Sequence, residues 1–193
     1  MNEADKAGWS AVNTVFLDRD GVLNEKAPEG EYVSRWEQFR ILDGVAETLA
    51  RLNRAGLRTI VVTNQRGIAL GRYTLADVDV LHSEFQRQLA AQGAHIDAFY
   101  ICPHDHGECN CRKPLPGLFD QAAHDFENVS AATSVMIGDS LVDMEFGKRL
   151  GMKAILVEAS QDEREADKAK AAEQADLRCA SLLEAVNAIL ERG

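Results

Sequence analysis

The sequence contains no apolar run that approaches the roughly 18 residues a membrane-spanning helix requires. Its first residues, Met1 to Lys6, are acidic and lack the apolar core of a secretory signal. These two absences lead us to expect a cytoplasmic protein. With 4 Pro and 14 Gly among 193 residues, the chain is also poor in the residues that build long disordered tracts. Positive charge is short: 21 Lys and Arg stand against 31 Asp and Glu, a formal net charge of -10. Such a surface repels nucleic acid and anionic lipid, which excludes both as main partners. An anionic substrate binds such a chain only where local cations or a metal outweigh the global field.

What is present is the composition of a globular fold, 46% hydrophobic and 27% charged, at a length that suits one domain. The expected domain spans residues 1–193, with a core over about 12–158 and a charged connector and final helix over 158–193. Cysteine is scarce as well, but three of the 4 lie in one ten-residue stretch, Cys102, Cys109 and Cys111. Where disulfides are disfavoured, a cluster this tight reads as metal binding or catalysis.

Strand and helix patterns alternate. Short apolar runs at 14–17, 57–63, 97–102, 134–138 and 153–157 read as five strands. Between them, Val45, Leu49 and Leu52 recur at helix spacing with Gly56 beyond, and Val78, Leu81, Phe85 and Leu89 follow Thr74 and precede Gly93. Pro116 suits a first helical turn, another helix is expected from Ser140 to just before Gly151, and Ser181 with Glu184 forms a capping-box signature. The mixed charge run 158–173 reads as a solvated connector or exposed helix. Alternation of this kind predicts an α/β fold, a doubly wound parallel sheet, whose ligands bind beyond the carboxyl ends of the strands.

The chemistry-bearing residues fall at those ends. Asp18 and Asp20 flank Arg19 after the first strand, and alternate residues of an extended chain project to one side. Two carboxylates so placed share a proton or hold a cation, for which Mg²⁺ is the natural oxygen-seeking choice. Thr63, Asn64 and Gln65 end the second strand with a hydroxyl and backbone amides suited to phosphate oxygens. Lys113 follows the cysteines, and Asp139 ends the fourth strand with Asp143 nearby. Cys102-Pro103-His104, four intervening residues and Cys109-Asn110-Cys111 form a Cys₃His set with structural Zn²⁺ spacing, in which His106 is an alternative to His104.

In their order and spacing these motifs resemble the haloacid dehalogenase-like phosphatases over about residues 12–158. The resemblance implies a Rossmann-like fold and a phosphoric monoester hydrolase. Asp18 would be the nucleophile and Asp20 the general acid and base. Mg²⁺ would sit on Asp18, Asp139 and the main-chain carbonyl of Asp20, and Thr63 and Lys113 would hold the phosphoryl group. Val22 replaces the Thr common in the first motif, a change away from the chemistry. The metal loop 102–111 and the segment Thr63 to Thr74 are similar to the zinc-containing branch that acts on heptose bisphosphate or histidinol phosphate. The short spacing between His104 and Cys109 leans to the histidinol type, whereas Gly67-Ile68-Ala69 with Gly71 leans to the heptose type. The implied substrate is therefore the 7-phosphate of a D-glycero-D-manno-heptose 1,7-bisphosphate in carbohydrate metabolism, feeding lipopolysaccharide precursors. Histidinol phosphate or another small metabolite is the alternative. Only 44 residues separate Asp18 from Thr63 and 49 separate Thr63 from Lys113, which leaves no room for a separate cap domain. The site is expected to be open and framed by residues 22–42 and the metal loop. Arg112 and Arg66 are candidates to read a second anionic group. A monomer is expected.

Overall fold

The computed structural model describes residues 9–28, 30–157 and 164–193. The acidic Met1–Lys6 stretch and the first part of the charged connector, 158–163, lie outside the described residues. Six strands form one sheet: β1 (Thr14–Leu17), β2 (Arg58–Asn64), β3 (Ala98–Cys102), β4 (Ser134–Gly138), β5 (Lys153–Val157) and β6 (Leu177–Cys179). Every pair is parallel and the spatial order is β3-β2-β1-β4-β5-β6. Parallel neighbours need crossovers, and five helices of the described residues lie on them, α1 (Val45–Arg54), α2 (Leu75–Ala90), α3 (Gly117–Asp125), α4 (Leu141–Leu150) and α5 (Glu165–Gln174), while α6 (Leu182–Arg192) follows β6.

Because both faces are covered, β1 is buried along its whole length and shows no polar alternation. Its side chains still alternate in destination. Val15 and Leu17 join a core with Leu49 of α1, Phe85 of α2 and Val186 of α6. Phe16 turns the other way, toward Leu118 of α3 and Phe146 of α4. Full burial of one such side chain is worth about 1.5–3 kcal/mol, so the two faces together anchor the central strand. α5 packs on this second side through Ala171, in a smaller cluster with Met144 and Leu156.

Five strands lie where the apolar runs place them. β6 was not expected: three residues with Arg178 exposed at the centre carry too little pattern to be read. The charged run is helical over α5, where Ala171 is the one buried residue. Pairs at i, i+3 (Arg164 with Asp167, Glu165 with Lys168) decorate its solvent face. Thr74 and Asp77 exchange both bonds of a capping box at α2. At α6 the expected box is only half made. Ser181 accepts from the Glu184 N–H at 3.2 Å, but the Glu184 carboxylate accepts from Ala180 instead, at 2.7 Å. Among the described residues, no helix is long and apolar enough to cross a membrane.

The order reverses between β1 and β4. Connections leave these adjacent strands in opposite directions, so their carboxyl ends open a crevice. That crevice is where Asp18 and Asp139 stand.

Candidate active site

Asp18 extends β1 by one more sheet bond, its N–H donating to the Ile137 carbonyl at 3.0 Å. The chain then turns back on itself, the Arg19 carbonyl accepting from Leu23 at 2.9 Å and Asn24 at 3.2 Å. Gly21 makes the turn with φ +96°, and a Cβ on it would fall 2.1 Å from the Asp139 carboxylate. Glycine is needed there twice over, for the backbone angle and for the space.

Four carboxylates meet around this turn. Asp18, Asp139 and Asp143 bring oxygens within 4.8 Å of one another. Asp20 lies beside them but is held differently. Arg19, almost wholly buried, donates to both of its oxygens at 2.8 and 2.9 Å, and Asn24 adds a bond at 2.9 Å. Burial pushes the Asp20 carboxyl up, but the Arg19 charge and the hydrogen bonds of Arg19, Asn24 and Gln65 outweigh it and hold the group below the ordinary carboxylate range. Asp18 moves the opposite way. Burial, together with repulsion from Asp143 and Asp20, lifts it to about 6 against the pull of Lys113.

Lys113 is the central cation. Its Nζ donates to Asp18 at 2.8 Å and to Asp143 at 2.6 Å, and only 4% of the residue is exposed. Asn64 delivers it: the Asn64 side chain donates to the Lys113 carbonyl at 3.1 Å and accepts from the Lys113 N–H at 3.0 Å. The Asn64 side chain is thus spent on the lysine backbone, and its place in the site is that of a clamp. Thr63 is buried beside it, its hydroxyl accepting from Gln65 at 2.8 Å.

Asp139 sits deepest. Burial is the main force lifting its carboxyl to about 8, with Asp18 and Asp143 adding to it and Lys26 opposing. Among the described residues its one side-chain partner is the ammonium of Lys26 from the 22–42 segment, which pairs with a single carboxylate oxygen. Asp18 and Asp139, both lifted by burial and mutual crowding although Lys113 and Lys26 stand against them, form a hard all-oxygen donor set. It fits Mg²⁺. Lys26 was missed in the sequence because nothing in its neighbours marks it; only the folding of that segment over β1 brings it here.

The sulfur cluster assembles at the end of β3. Cys102 lies 3.2 Å from Cys111 and 3.5 Å from Cys109, with 3.3 Å between Cys109 and Cys111. These separations exceed a disulfide bond of about 2.05 Å and approach the roughly 3.7 Å edge of a tetrahedron with Zn–S near 2.3 Å. His104 Nδ1 completes the group, 3.3 Å from Cys111 and 3.8 Å from Cys102. His106 turns outward to Arg112 at 3.4 Å. Of the two histidines, His104 is the one the fold brings to the sulfurs, and the donor set suits Zn²⁺. Burial and the neighbouring sulfurs push the Cys111 thiol up.

Arg66 reaches the same loop, donating to Asp105 at 2.6 and 3.1 Å. It is therefore already paired with a carboxylate. Arg112 lies at the rim, its guanidinium 3.4 Å from the His104 carbonyl. A cavity of about 230 Å³ is lined by Asp18, Asp20, Thr63, Lys113 and Asp143 among others. A second, of about 180 Å³, shares Asp20, Lys26 and Asn64 with it and extends beneath Tyr32 and Val33. Of the expected site residues, Asp18, Asp20, Thr63, Asn64 and Lys113 line the first cavity, and Gln65 lines the second. Asp139 stands beside them, while Arg66 and Arg112 stand off on the metal loop.

A parallel sheet whose switch point holds crowded aspartates between a lysine and a hydroxyl is the architecture of a hydrolase for anionic substrates. The comparisons make the class definite. Residues 110–185 match a family model described as HAD-hydrolase-like. A D-glycero-alpha-D-manno-heptose-1,7-bisphosphate 7-phosphatase of Mycobacterium bovis is 40% identical over 152 residues, 78% of each chain. A D-glycero-beta-D-manno-heptose-1,7-bisphosphate 7-phosphatase of Vibrio cholerae is 40% identical over 150 residues, covering 74% of this chain and 78% of that one. The crystal structure of a D,D-heptose 1,7-bisphosphate phosphatase from B. bronchiseptica, complexed with magnesium and phosphate, superposes with a TM-score of 0.82 at 29% identity, covering 94% of this chain and 100% of that one. The chain belongs to the haloacid dehalogenase-like phosphatases, in the family of these heptose-bisphosphate enzymes.

Proposed function

We propose that this phosphatase removes the 7-phosphate of D-glycero-D-manno-heptose 1,7-bisphosphate through an aspartyl-phosphate on Asp18. The relatives' substrates support the sugar, and the meeting of Asp18, Asp20, Thr63 and Lys113 around one cavity carries the chemistry. The whole chain acts as one catalytic domain, a monomer of the cytoplasm.

Lys113 occupies one oxygen of Asp18, which leaves the other to attack phosphorus. The phosphorus–oxygen bond to the sugar breaks, and Asp20, which must first take up a proton against the pull of Arg19, hands that proton to the departing oxygen. Asp20, now ionised and stabilised in that form by Arg19, takes a proton from water. The hydroxide attacks the acyl phosphate and releases inorganic phosphate and free Asp18. Thr63 and Lys113 hold the phosphoryl oxygens in both steps. A carboxylate meeting a phosphate dianion is repelled by about 4 kcal/mol per charge pair at 4 Å and an effective dielectric near 20. Mg²⁺, which Asp18, Asp139 and the Asp20 carbonyl would hold, supplies further neutralisation of that charge. Cys102, His104, Cys109 and Cys111 would hold Zn²⁺ with all four positions filled by protein. That makes it a structural ion, stiffening the loop that delivers Arg112 and Lys113. Arg112 and, once freed from Asp105, Arg66 would be the groups that read the second phosphate.

The test is phosphate release from both anomers of heptose 1,7-bisphosphate and from histidinol phosphate, with Mg²⁺. Wild type should prefer a heptose bisphosphate, and Asp18→Asn should be inactive. Failure to hydrolyse either anomer defeats the substrate assignment, and an active Asp18→Asn defeats the mechanism.

A further inference from the structure

Gln65 is 3% exposed and lies between three polar side chains. Its Nε2 donates to the Asp20 carboxylate at 3.1 Å and to the Thr63 hydroxyl at 2.8 Å. Its Oε1 accepts from the Tyr73 hydroxyl at 2.6 Å. The arrangement has one consistent direction. A carboxylate only accepts, so the amide nitrogen must face Asp20, and the amide oxygen must then face Tyr73. Turned over, the amide would set its oxygen against the Asp20 carboxylate, which has no proton to give it.

Direction passes onward as well. The Thr63 hydroxyl, having accepted from Gln65, has its own proton free for another acceptor, and Thr63 lines the cavity that Asp18 and Lys113 line. Tyr73 is itself fixed. Its ring packs so close to Gly67 that a Cβ there would lie 2.1 Å from it, and it rests against Tyr32 of the 22–42 segment at 5.7 Å between centroids. Gly67 is thus the second position where a missing side chain shapes the site. Among the described residues no hydrogen bond joins Tyr73 directly to Asp20 or Thr63, and the Gln65 amide is the hydrogen-bonded path between them.

We propose that Tyr73 and Gln65 form a positioning relay, in which Tyr73 locks the orientation of the Gln65 amide so that the amide holds Asp20 and turns the Thr63 proton toward the phosphoryl group. The proposal rests on the roles given above to Asp20 and Thr63. It predicts that Tyr73 matters only while Gln65 is present, which a packing role would not produce.

A double-mutant cycle decides it, with heptose 1,7-bisphosphate and saturating Mg²⁺. Tyr73→Phe keeps the ring and its contacts, and should lower kcat about five- to tenfold, the worth of one hydrogen bond. KM should stay close to that of wild type, and the thermal midpoint should fall only by the few degrees that one buried hydrogen bond is worth. Gln65→Ala should lose at least as much, and Tyr73→Phe added to Gln65→Ala should lower kcat no further. Gln65→Glu, which sets a carboxylate against Asp20, should be slower than Gln65→Ala. A silent Tyr73→Phe, or losses that multiply in the double variant, overturns the relay. Asp18→Asn assayed alongside separates the two levels. If it stays active, the underlying mechanism is wrong; if it is dead and the cycle is multiplicative, the relay alone falls.

Discussion

Lys113 carries two burdens at once, and they can be pulled apart. Its ammonium lies 2.8 Å from Asp18 and 2.6 Å from Asp143, and the Asp143 side chain is 1% exposed. Lys113→Met removes the charge and leaves Asp143 buried with only Ser140 as a partner. Breaking one side of a buried ion pair typically costs about 3–5 kcal/mol, chiefly because the remaining charge is uncompensated. Asp18 suffers less, since it borders the open cavity. Adding Asp143→Asn removes the stranded charge while keeping an acceptor for the Ser140 hydroxyl, so the double variant should recover most of the lost stability. It should not recover activity. A cation absent from about 4 Å of the phosphoryl group forfeits about 4 kcal/mol at an effective dielectric of 20, or roughly a thousandfold in rate. Urea unfolding and phosphate release, run on wild type and the two variants, separate the two effects. If Lys113→Met is as stable as wild type, the buried pair is not what the geometry implies. If Lys113→Met/Asp143→Asn regains turnover, the lysine serves the fold and not the chemistry.

His82 and the sulfur cluster yield two further expectations. His82 stacks on Phe99 at 4.3 Å between ring centroids, and burial, with the Arg19 charge adding and Asp20 opposing, pushes it down to about 3. Unfolded histidine protonates near 6.5, so stability is full above that pH and is lost as the pH falls toward 3. At pH 5 the loss is about 2 kcal/mol. His82→Leu should therefore lose less stability than wild type between pH 7.5 and pH 5 by that margin in urea titrations; parallel declines would refute it. For the metal loop, zinc content measured on purified protein should drop on His104→Ala and persist on His106→Ala. Stripping zinc with a chelator should lower the melting temperature and weaken catalysis together, because the same loop delivers Lys113. Loss of zinc from His106→Ala with retention in His104→Ala would reverse the ligand assignment.

Much of the scaffold was legible in the chain because its signals are local. Five of the six strands are dense apolar runs, and the helices between them keep their spacing and end signals. The strand ends then point to Asp18, Thr63, Lys113 and Asp139 as neighbours, since a doubly wound sheet places those ends together whatever the details. β6 escaped because three residues with a polar centre have no periodicity. The capping box at Ser181 was half right for a related reason: the sequence pairs Ser181 with Glu184, but which N–H the carboxylate takes depends on how the chain enters the helix.

The residues that tune the site were not legible. Lys26 and Tyr73 lie in segments whose composition says nothing of Asp139 or Gln65; Lys26 acquires its partner only when the 22–42 segment folds over the strand ends, and Tyr73 when the turn over 65–73 closes. Arg66 was expected to face the substrate and is held by Asp105, a partner 39 positions away. His104 and His106 are chemically identical in the chain, and the loop's path alone decides which one meets the sulfurs. Local pattern thus determined the fold, the strand-end aspartates and the metal-ligand spacing, because each depends on residue type and short-range periodicity. The charge state of each carboxylate, the countercharge of Asp139 and the direction of the Gln65 amide depend on burial and on groups brought from distant segments. Only the folded chain brings those groups together.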